Sequence, residues 1–329
     1  MTAPAQARPE LSVVVPVYRS RSTLRELVTR LHAVLEKVGR PWEIVLVDDG
    51  SPDDSWAVLD ALAREQPGRL VAVQLMRNYG QHNTLMCGFR HARGELVLTM
   101  DDDLQNPPEE IPRLLEAMRT GEYDLVYGAY ARKRHFLWRN AASTLMNGFF
   151  RLVFGSPGRI TAFRVIRRPL LDCVVGYTPS FVFVDGLLAW NTQRVGYVEV
   201  AHDERRAGRS GYSFGKLTIL FFNVVTNFSL YPLQLVSYCG LAVAALGIGL
   251  GAYEVLKYFL TGFAVAGYAS TIVAILTLGG IQLLSLGMIG EYLGRMHLHL
   301  NQKPQYNERR VAGVGTDGAA ESKSVGRPT

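Results

Sequence analysis

Three consecutive carboxylates, Asp101, Asp102 and Asp103, followed by Gln105, end the apolar run Leu96-Val-Leu-Thr-Met100. Like charges this close raise one another's cost of ionisation, so three of them at the end of a buried strand call for a cation. Alternate side chains of an extended segment share a side, which puts Asp101 and Asp103 together. Two hard oxygen ligands on one side suit Mg2+ or Mn2+, ions that keep waters and bind substrate phosphates. Asn106-Pro-Pro108 stops the segment, and the spacing predicts a helix over 109–118 behind the prolines. The bland alternative is a polar cap on that helix.

Two further acidic or aromatic turns have the same setting. Residues 11–18 form a β-branched run ending in Pro16-Val-Tyr18, and residues 42–48 form a second run ending in Asp48-Asp-Gly-Ser51. Between and after them the pattern predicts helices at 23–38, capped by Ser22, and at 55–65, capped by Asp53 or Asp54. A third strand at 70–75, a polar loop at 77–82 and a helix at 84–92 lead to the aspartates. Strands alternating with helices imply right-handed crossovers and a mainly parallel α/β sheet, with ligands at the carboxyl ends of the strands. Tyr18, Asp48, Asp49, Asp101 and Asp103 all fall at those ends. Beyond them the reading places strands at 124–128, 160–166 and 194–200, an amphipathic helix at 140–154, and Asp185 inside an apolar helical stretch.

The 329 residues allow one or two domains, and the formal charge is +6. Arginine and lysine crowd residues 132–139, 164–168 and 205–216, which fits anionic substrates or an anionic membrane surface. Nucleic acid is not expected without an aromatic–basic repeat. Cys87, Cys173 and Cys239 show no disulfide or metal spacing, consistent with a reducing compartment. Residues 1–10 are polar, so a flexible N-terminus without a signal peptide is expected.

Residues 217–253 and 258–290 carry no charge, and each run exceeds the roughly 20 residues that span a bilayer. Asn223, Asn227 and Pro232 divide the first run. The expected organisation is a catalytic domain at 11–213, an interfacial amphipathic helix at 214–231 and a two-helix transmembrane hairpin at 232–292. A tail at 293–329, disordered from about 312, follows. Basic flanks at Lys216, Arg295, Lys303, Arg309 and Arg310 put the catalytic domain on the cytoplasmic side of the inner membrane.

Pro16-Val-Tyr18, Val47-Asp-Asp-Gly-Ser51, Asp101-x-Asp103-x-Gln105 and the hairpin together resemble the family 2 glycosyltransferases of GT-A fold. More narrowly they resemble the polyprenyl-phosphate transferases, which include dolichyl-phosphate mannose synthase. Asn78-Tyr-Gly-Gln-His82, Leu104-Gln-Asn-Pro-Pro108 with the residues to Leu114, and Gly290-Glu-Tyr-Leu-Gly-Arg295 look like the undecaprenyl-phosphate 4-deoxy-4-formamido-L-arabinose transferase group. The resemblance implies a Rossmann-like GT-A sheet with helices on both faces and inverting transfer from a nucleotide sugar, more often UDP-linked, to a polyprenyl phosphate. It also implies that Pro16, Tyr18, Asp48 or Asp49, Asp101 and Asp102 bind the donor, with Asp101, Asp103 and Gln105 on the metal. Arg139 and Ser143, one helical turn apart, match the family's acceptor-phosphate spacing; Arg132 and Arg134 would assist. Arg205 and Ser210 match the family's Arg-x-x-Gly-x-Ser loop before the membrane segment, with Arg209 standing in for its lysine. Asp185 would face the donor as in other inverting relatives, and homotetramers occur among those relatives.

Three departures stand out. The family loop Gly-x-Ser-Lys reads Gly208-Arg-Ser-Gly211 here, and its Gly-Asp-Tyr-Gly string is replaced by Pro157-Gly-Arg-Ile160. No Gln-x-x-Arg-Trp string is present, which argues against a processive polysaccharide synthase. The rival expectations are a GDP-mannose-dependent enzyme, a soluble transferase with a hydrophobic bundle, and a membrane scaffold that binds a cation without turnover.

Overall fold

The computed structural model describes residues 8–130, 160–201, 231–261, 267–301 and 303–313. The first half runs β1 (Leu11–Val17), α1 (Leu24–Val38), β2 (Trp42–Asp48), α2 (Ser55–Glu65), β3 (Leu70–Leu75), α3 (Gln81–His91) and β4 (Leu96–Thr99). A 3-10 turn (Pro108–Glu110) leads into α4 (Ile111–Thr120) and β5 (Leu125–Tyr130). Then come β6 (Arg164–Arg167), α5 (Arg168–Val175), α6 (Val184–Asn191) and β7 (Val195–Val200). Two long helices, α7 (Tyr231–Thr261) and α8 (Tyr268–Leu300), precede a last strand, β8 (Glu308–Ala312).

One eight-stranded sheet takes the order β7-β5-β6-β4-β1-β2-β3-β8. β1 pairs parallel with both β2 and β4, β2 with β3, and β5 with β7; β4/β6, β5/β6 and β3/β8 are antiparallel. The central strands are buried on both faces, which is why β1 and β2 are mostly apolar throughout, the buried Ser12 and Glu43 being bonded to one another. In α1 the buried residues Leu24, Leu27, Val28, Leu31, Val34 and Leu35 keep the three-and-four spacing of one helix face. The helix ends at left-handed Gly39, whose N–H bonds the Glu36 carbonyl. β1 lies between β4 and β2, so the direction of winding reverses there, and the carboxyl ends of β1 and β4 are where an open α/β sheet of this order takes its ligands.

α3 lies unusually close to the sheet because Gly88 has no side chain: a Cβ there would stand 2.3 Å from Val14 Cγ1. Gly88→Ala is therefore expected to cost about 1–3 kcal/mol by overpacking. Thermal unfolding of the purified variant checks this, and an unchanged midpoint would mean that α3 can lift off freely.

Several boundaries differ from the sequence reading. α1 is preceded by Thr23 at the N-cap position, not Ser22. α3 begins at Gln81, three residues early, so Gln81 and His82 belong to its first turn and not to a loop. β4 stops at Thr99 and the three aspartates follow in a bend, so strand alternation does not govern where they point. β6 begins at Arg164, and α5 and β8 were not anticipated. The expected helices at 140–154 and 214–231 lie outside the described residues.

The chain divides into two compact units, with residues 304–329 grouped with the first. Within it β8 adds to the outer edge of β3, from Ala72 opposite Ala312 to Leu75 opposite Glu308. In the second unit α7 has 31 residues and α8 has 33, and the two contact one another. Leu241, Ile248, Phe259, Leu260, Leu283 and Leu286 are exposed on them. Among the described residues no helix is long and apolar enough to cross a membrane.

Candidate active site

Hydrogen bonds join the turns at the carboxyl ends of β1 to β4 into a closed ring. The turn after β1 meets the aspartates: the Tyr18 N–H donates to Asp102 Oδ2 at 3.1 Å, and the Ser20 hydroxyl donates to the same oxygen. That turn also meets the one after β2, through Arg19 N–H to Ser51 Oγ at 3.0 Å and Ser20 N–H to Ser55 Oγ at 3.1 Å. Asp49 carries the ring to the turn after β3, accepting from the N–H groups of Tyr79 (2.6 Å) and Gly80 (2.9 Å). Gln81 closes it by donating from Nε2 to Asp101 Oδ1 at 2.7 Å.

The ring is held under local strain. Arg19 and Leu104 have φ of 58° and 59°, a left-handed conformation that costs a non-glycine residue about 1–3 kcal/mol and tends to mark functional turns. Gly50, at φ 63°, is required for a second reason. A Cβ there would sit 2.5 Å from the Arg77 carbonyl carbon, so the second and third turns approach closely only because it is glycine.

Each aspartate has a separate task. Asp48 is fully buried; it accepts from Ser51 N–H at 3.0 Å and from Gln74 Nε2 at 3.2 Å. Asp49 is nearly as buried, and burial raises its pKa, against the lowering effect of the Tyr79 and Gly80 amides. Asp103 Oδ1 accepts the Gln105 N–H at 3.1 Å. Tyr18 is exposed beneath the Arg19 guanidinium, 5.2 Å from its ring centre. Pro16 is the last residue but one of β1 and lies opposite Val47.

Burial pushes the Asp102 carboxyl up from 3.8 to about 6, more than its bonds from Ser20 and Tyr18 pull it down. A raised folded-state value means that the proton is held more tightly in the folded chain. This contribution to stability is full below about pH 4 and lost as pH rises through about 6. The unfolding midpoint of the natural chain, relative to Asp102→Asn, is expected to be higher at pH 5 than at pH 7.5. The opposite trend would mean that the ionised carboxylate is the favoured form.

A second polar cluster surrounds Asp185, at the start of α6. It pairs with the buried Arg164 guanidinium, and Tyr127 donates its hydroxyl to the same carboxylate oxygen at 3.1 Å. Arg164 is 1% exposed, and its Nε is a buried atom without a hydrogen-bond partner. His82 sits edge-on to Phe183 at 5.1 Å and accepts a long bond of 3.4 Å from the Val184 N–H on Nδ1. Burial lowers the His82 pKa, outweighing the nearby Asp185. Neighbouring residues of the first turn of α3 thus touch the two sites: Gln81 meets Asp101 and His82 meets the start of α6.

Reading from sequence did not single out Ser20, Gln81, His82, Tyr127 or Arg164. Gln81 and His82 did lie in the string Asn78-Tyr-Gly-Gln-His82 and Arg164 in a basic cluster; Ser20 and Tyr127 carry no local signal. Arg132, Arg134, Arg139, Ser143, Arg205, Arg209 and Ser210 lie outside the described residues.

Asp101, Asp103 and Gln105 are all half-buried, in the bend that follows β4. Their oxygens are the donors a hard dication takes. Among the described residues no third carboxylate, imidazole or thiol gathers there as a ligand group. Oxygen donors of this kind are the chemistry that Mg2+ or Mn2+ takes, with waters and phosphate oxygens completing the shell.

The sequence profile of glycosyl transferase family 2 matches residues 12–175, and that of the GtrB C-terminal hairpin matches residues 231–296. The undecaprenyl-phosphate 4-deoxy-4-formamido-L-arabinose transferase of Enterobacter sp. (strain 638) is 37% identical over 93% of this chain and 95% of its own length. The enzyme of that name from Klebsiella pneumoniae (strain 342) is 36% identical over 92% and 93%. Glucosyl-3-phosphoglycerate synthase from Mycobacterium tuberculosis was crystallised with Mn2+, uridine-diphosphate-glucose and phosphoglyceric acid. It superposes with a TM-score of 0.50 at 18% identity, over 68% of this chain and 79% of that one, which is a likeness of fold.

Proposed function

Because the chain belongs to glycosyl transferase family 2, alongside the undecaprenyl-phosphate arabinose transferases, we propose that it moves a sugar from a UDP-linked donor to undecaprenyl or a related polyprenyl phosphate. The observation that carries this reading is the closed ring of turns at the carboxyl ends of β1 to β4. It gathers an exposed aromatic, two half-buried acids and strained backbone where open α/β sheets bind ligands.

In this reading Tyr18, Pro16 and the buried pair Asp48 and Asp49 form the nucleoside end of the site. Asp101, Asp103 and Gln105 would hold Mg2+ or Mn2+, and the ion, when bound, neutralises charge on the departing diphosphate. Asp102 fixes the turn after β1, and Gln81 fixes Asp101. The acceptor phosphate, with a second pKa of about 6, is already an anionic nucleophile at neutral pH, so little general-base help is needed. Arg139 and Ser143, with Arg132, Arg134, Arg205, Arg209 and Ser210, would orient that phosphate. Asp185, tied to Arg164 and Tyr127, acts as a positioning residue.

The apolar side chains exposed on α7 and α8 support a bilayer as their covering. The chain leaves the first unit before the hairpin and rejoins it at residue 304, which supports an even number of crossings, and the basic flanks at Lys216, Arg295 and Lys303 support a cytoplasmic catalytic domain. A homotetramer belongs to the same reading. The altered string Pro157-Gly-Arg-Ile160 leads us to propose a sugar other than formamidoarabinose.

A donor screen tests the proposal. Purified protein with undecaprenyl phosphate and Mn2+ is given UDP-glucose, UDP-galactose, UDP-GlcNAc, an aminoarabinose donor and GDP-mannose in turn. Lipid-linked sugar from one UDP donor is the expected result. Product from GDP-mannose alone would move the assignment to a mannose synthase, and no product from any donor would overturn it. Release of the chain from membranes by salt alone would exclude the bilayer-spanning hairpin.

A further inference from the structure

By spacing alone the three cysteines show no metal pattern, yet the fold brings one of them into a ligand set. Cys87 and His91 are four residues apart on α3 and so share a face. Glu308, the first residue of β8, reaches that face from the far end of the chain. His91 Nε2 stands 2.9 Å from Glu308 Oε1 and Cys87 Sγ 3.6 Å from the same oxygen. One ligand atom from each residue lies within 4.8 Å of the other two.

We propose that Cys87, His91 and Glu308 bind one Zn2+ that fastens β8 to α3. Bond lengths of about 2.3 Å to sulfur and about 2.0–2.2 Å to nitrogen and oxygen put tetrahedral ligands roughly 3.3–3.8 Å apart. The observed separations need only small side-chain shifts to reach that range. Sulfur, imidazole and carboxylate together select Zn2+ over the hard ions suited to Asp101 and Asp103. The thiol gives its proton to solvent as the Zn–S bond forms, and no oxidation state changes. Thiolate and carboxylate then neutralise the dication, leaving water in the fourth position.

Access and surroundings agree with this site. Cys87 is buried at the back, while the side chains of His91 and Glu308 are 22% and 34% exposed at the front, leaving an entry path. The neighbouring Arg90 is engaged elsewhere, over the Tyr306 ring at 5.2 Å and bonded to Gln305 Oε1 at 3.2 Å. The fastened segment also touches the catalytic ring. Met76 N–H donates to the Asn307 carbonyl at 2.9 Å, and Asn307 Nδ2 donates to the Tyr79 hydroxyl at 3.2 Å. Tyr79 is the residue whose amide holds Asp49. The ion would therefore steady the turn after β3 from behind, at a place separate from the aspartates.

Cobalt substitution tests the site. The full-length protein in detergent is stripped with a chelator and titrated with Co2+. The expected result is a thiolate-to-cobalt charge-transfer band that saturates at one ion per chain. It is lost in Cys87→Ser and in His91→Ala, whose side chain is partly exposed and removable without opening the core. It is retained in Asp101→Asn. Zn2+ added to the stripped protein should slow tryptic cleavage after Arg309 and Arg310, and His91→Ala should abolish that protection. The proposal is overturned if the natural chain gives no band at saturating Co2+, or if the band survives either Cys87→Ser or His91→Ala.

Discussion

Replacing Asp103 by asparagine is expected to slow sugar transfer by about 100- to 1,000-fold, the range seen when one group that stabilises developing charge is removed. The substitution is nearly isosteric, and the amide oxygen can still accept the Gln105 N–H that Asp103 Oδ1 accepts at 3.1 Å. The bend after β4 therefore survives while the charge is lost. The effect should fall on turnover at saturating donor, with the unfolding midpoint unchanged and the Mn2+ requirement raised. Initial rates of lipid-linked product across a metal titration decide the matter. A rate within about threefold of the natural enzyme, with the same metal dependence, is too small a change for a lost metal ligand and would remove Asp103 from the proposed set.

The second large effect is on stability. Arg164→Met is expected to destabilise the first unit by about 3–5 kcal/mol, because it leaves Asp185 as a buried carboxylate without its counter-charge. Tyr127 contributes one hydrogen bond to that carboxylate, which is not enough to replace an ion pair. Removing both charges is a different matter. Arg164→Met combined with Asp185→Leu exchanges the pair for apolar volume, and such exchanges are often neutral. The double variant should therefore recover most of the loss. Urea unfolding of the two variants measures both values; equal destabilisation of single and double variants would mean that the cost is a packing defect and not an orphaned charge.

The parallel core was legible because its signal is local. The mostly apolar, valine-rich strands β1, β2 and β3, and the apolar face of α1, follow from burial on both sides of a sheet. The acidic turns were legible for the same reason, since each directly ends such a run. What Asp101, Asp102 and Asp103 bond to was not. Asp101 bonds Gln81 and Asp102 bonds Tyr18 and Ser20, all from other turns of the ring, while Asp103 accepts the nearby Gln105 N–H, and β4 ends before alternation can apply. Arg164 read as one member of a basic cluster suited to anions, and its burial beside Asp185 and the Tyr127 ring, from α6 and β5, has no local signal. β8 was the hardest to see. Four of its five residues are exposed and two are arginines, so no alternation marks it; its conformation is dictated by the free edge of β3.

That edge has a bearing on how the molecule is made. Until β8 arrives, β3 presents a row of unpaired N–H and C=O groups, the kind of border along which sheets from different chains join. The strand that covers it is encoded after both hairpin helices. A ribosome therefore delivers α7 and α8 before the sheet can be finished, and the first unit waits with one side open while the second is handed on. Synthesis of the hairpin and completion of the sheet are in this way ordered one after the other, and a chain cut short within α8 would carry every residue of the ring yet keep an adhesive border.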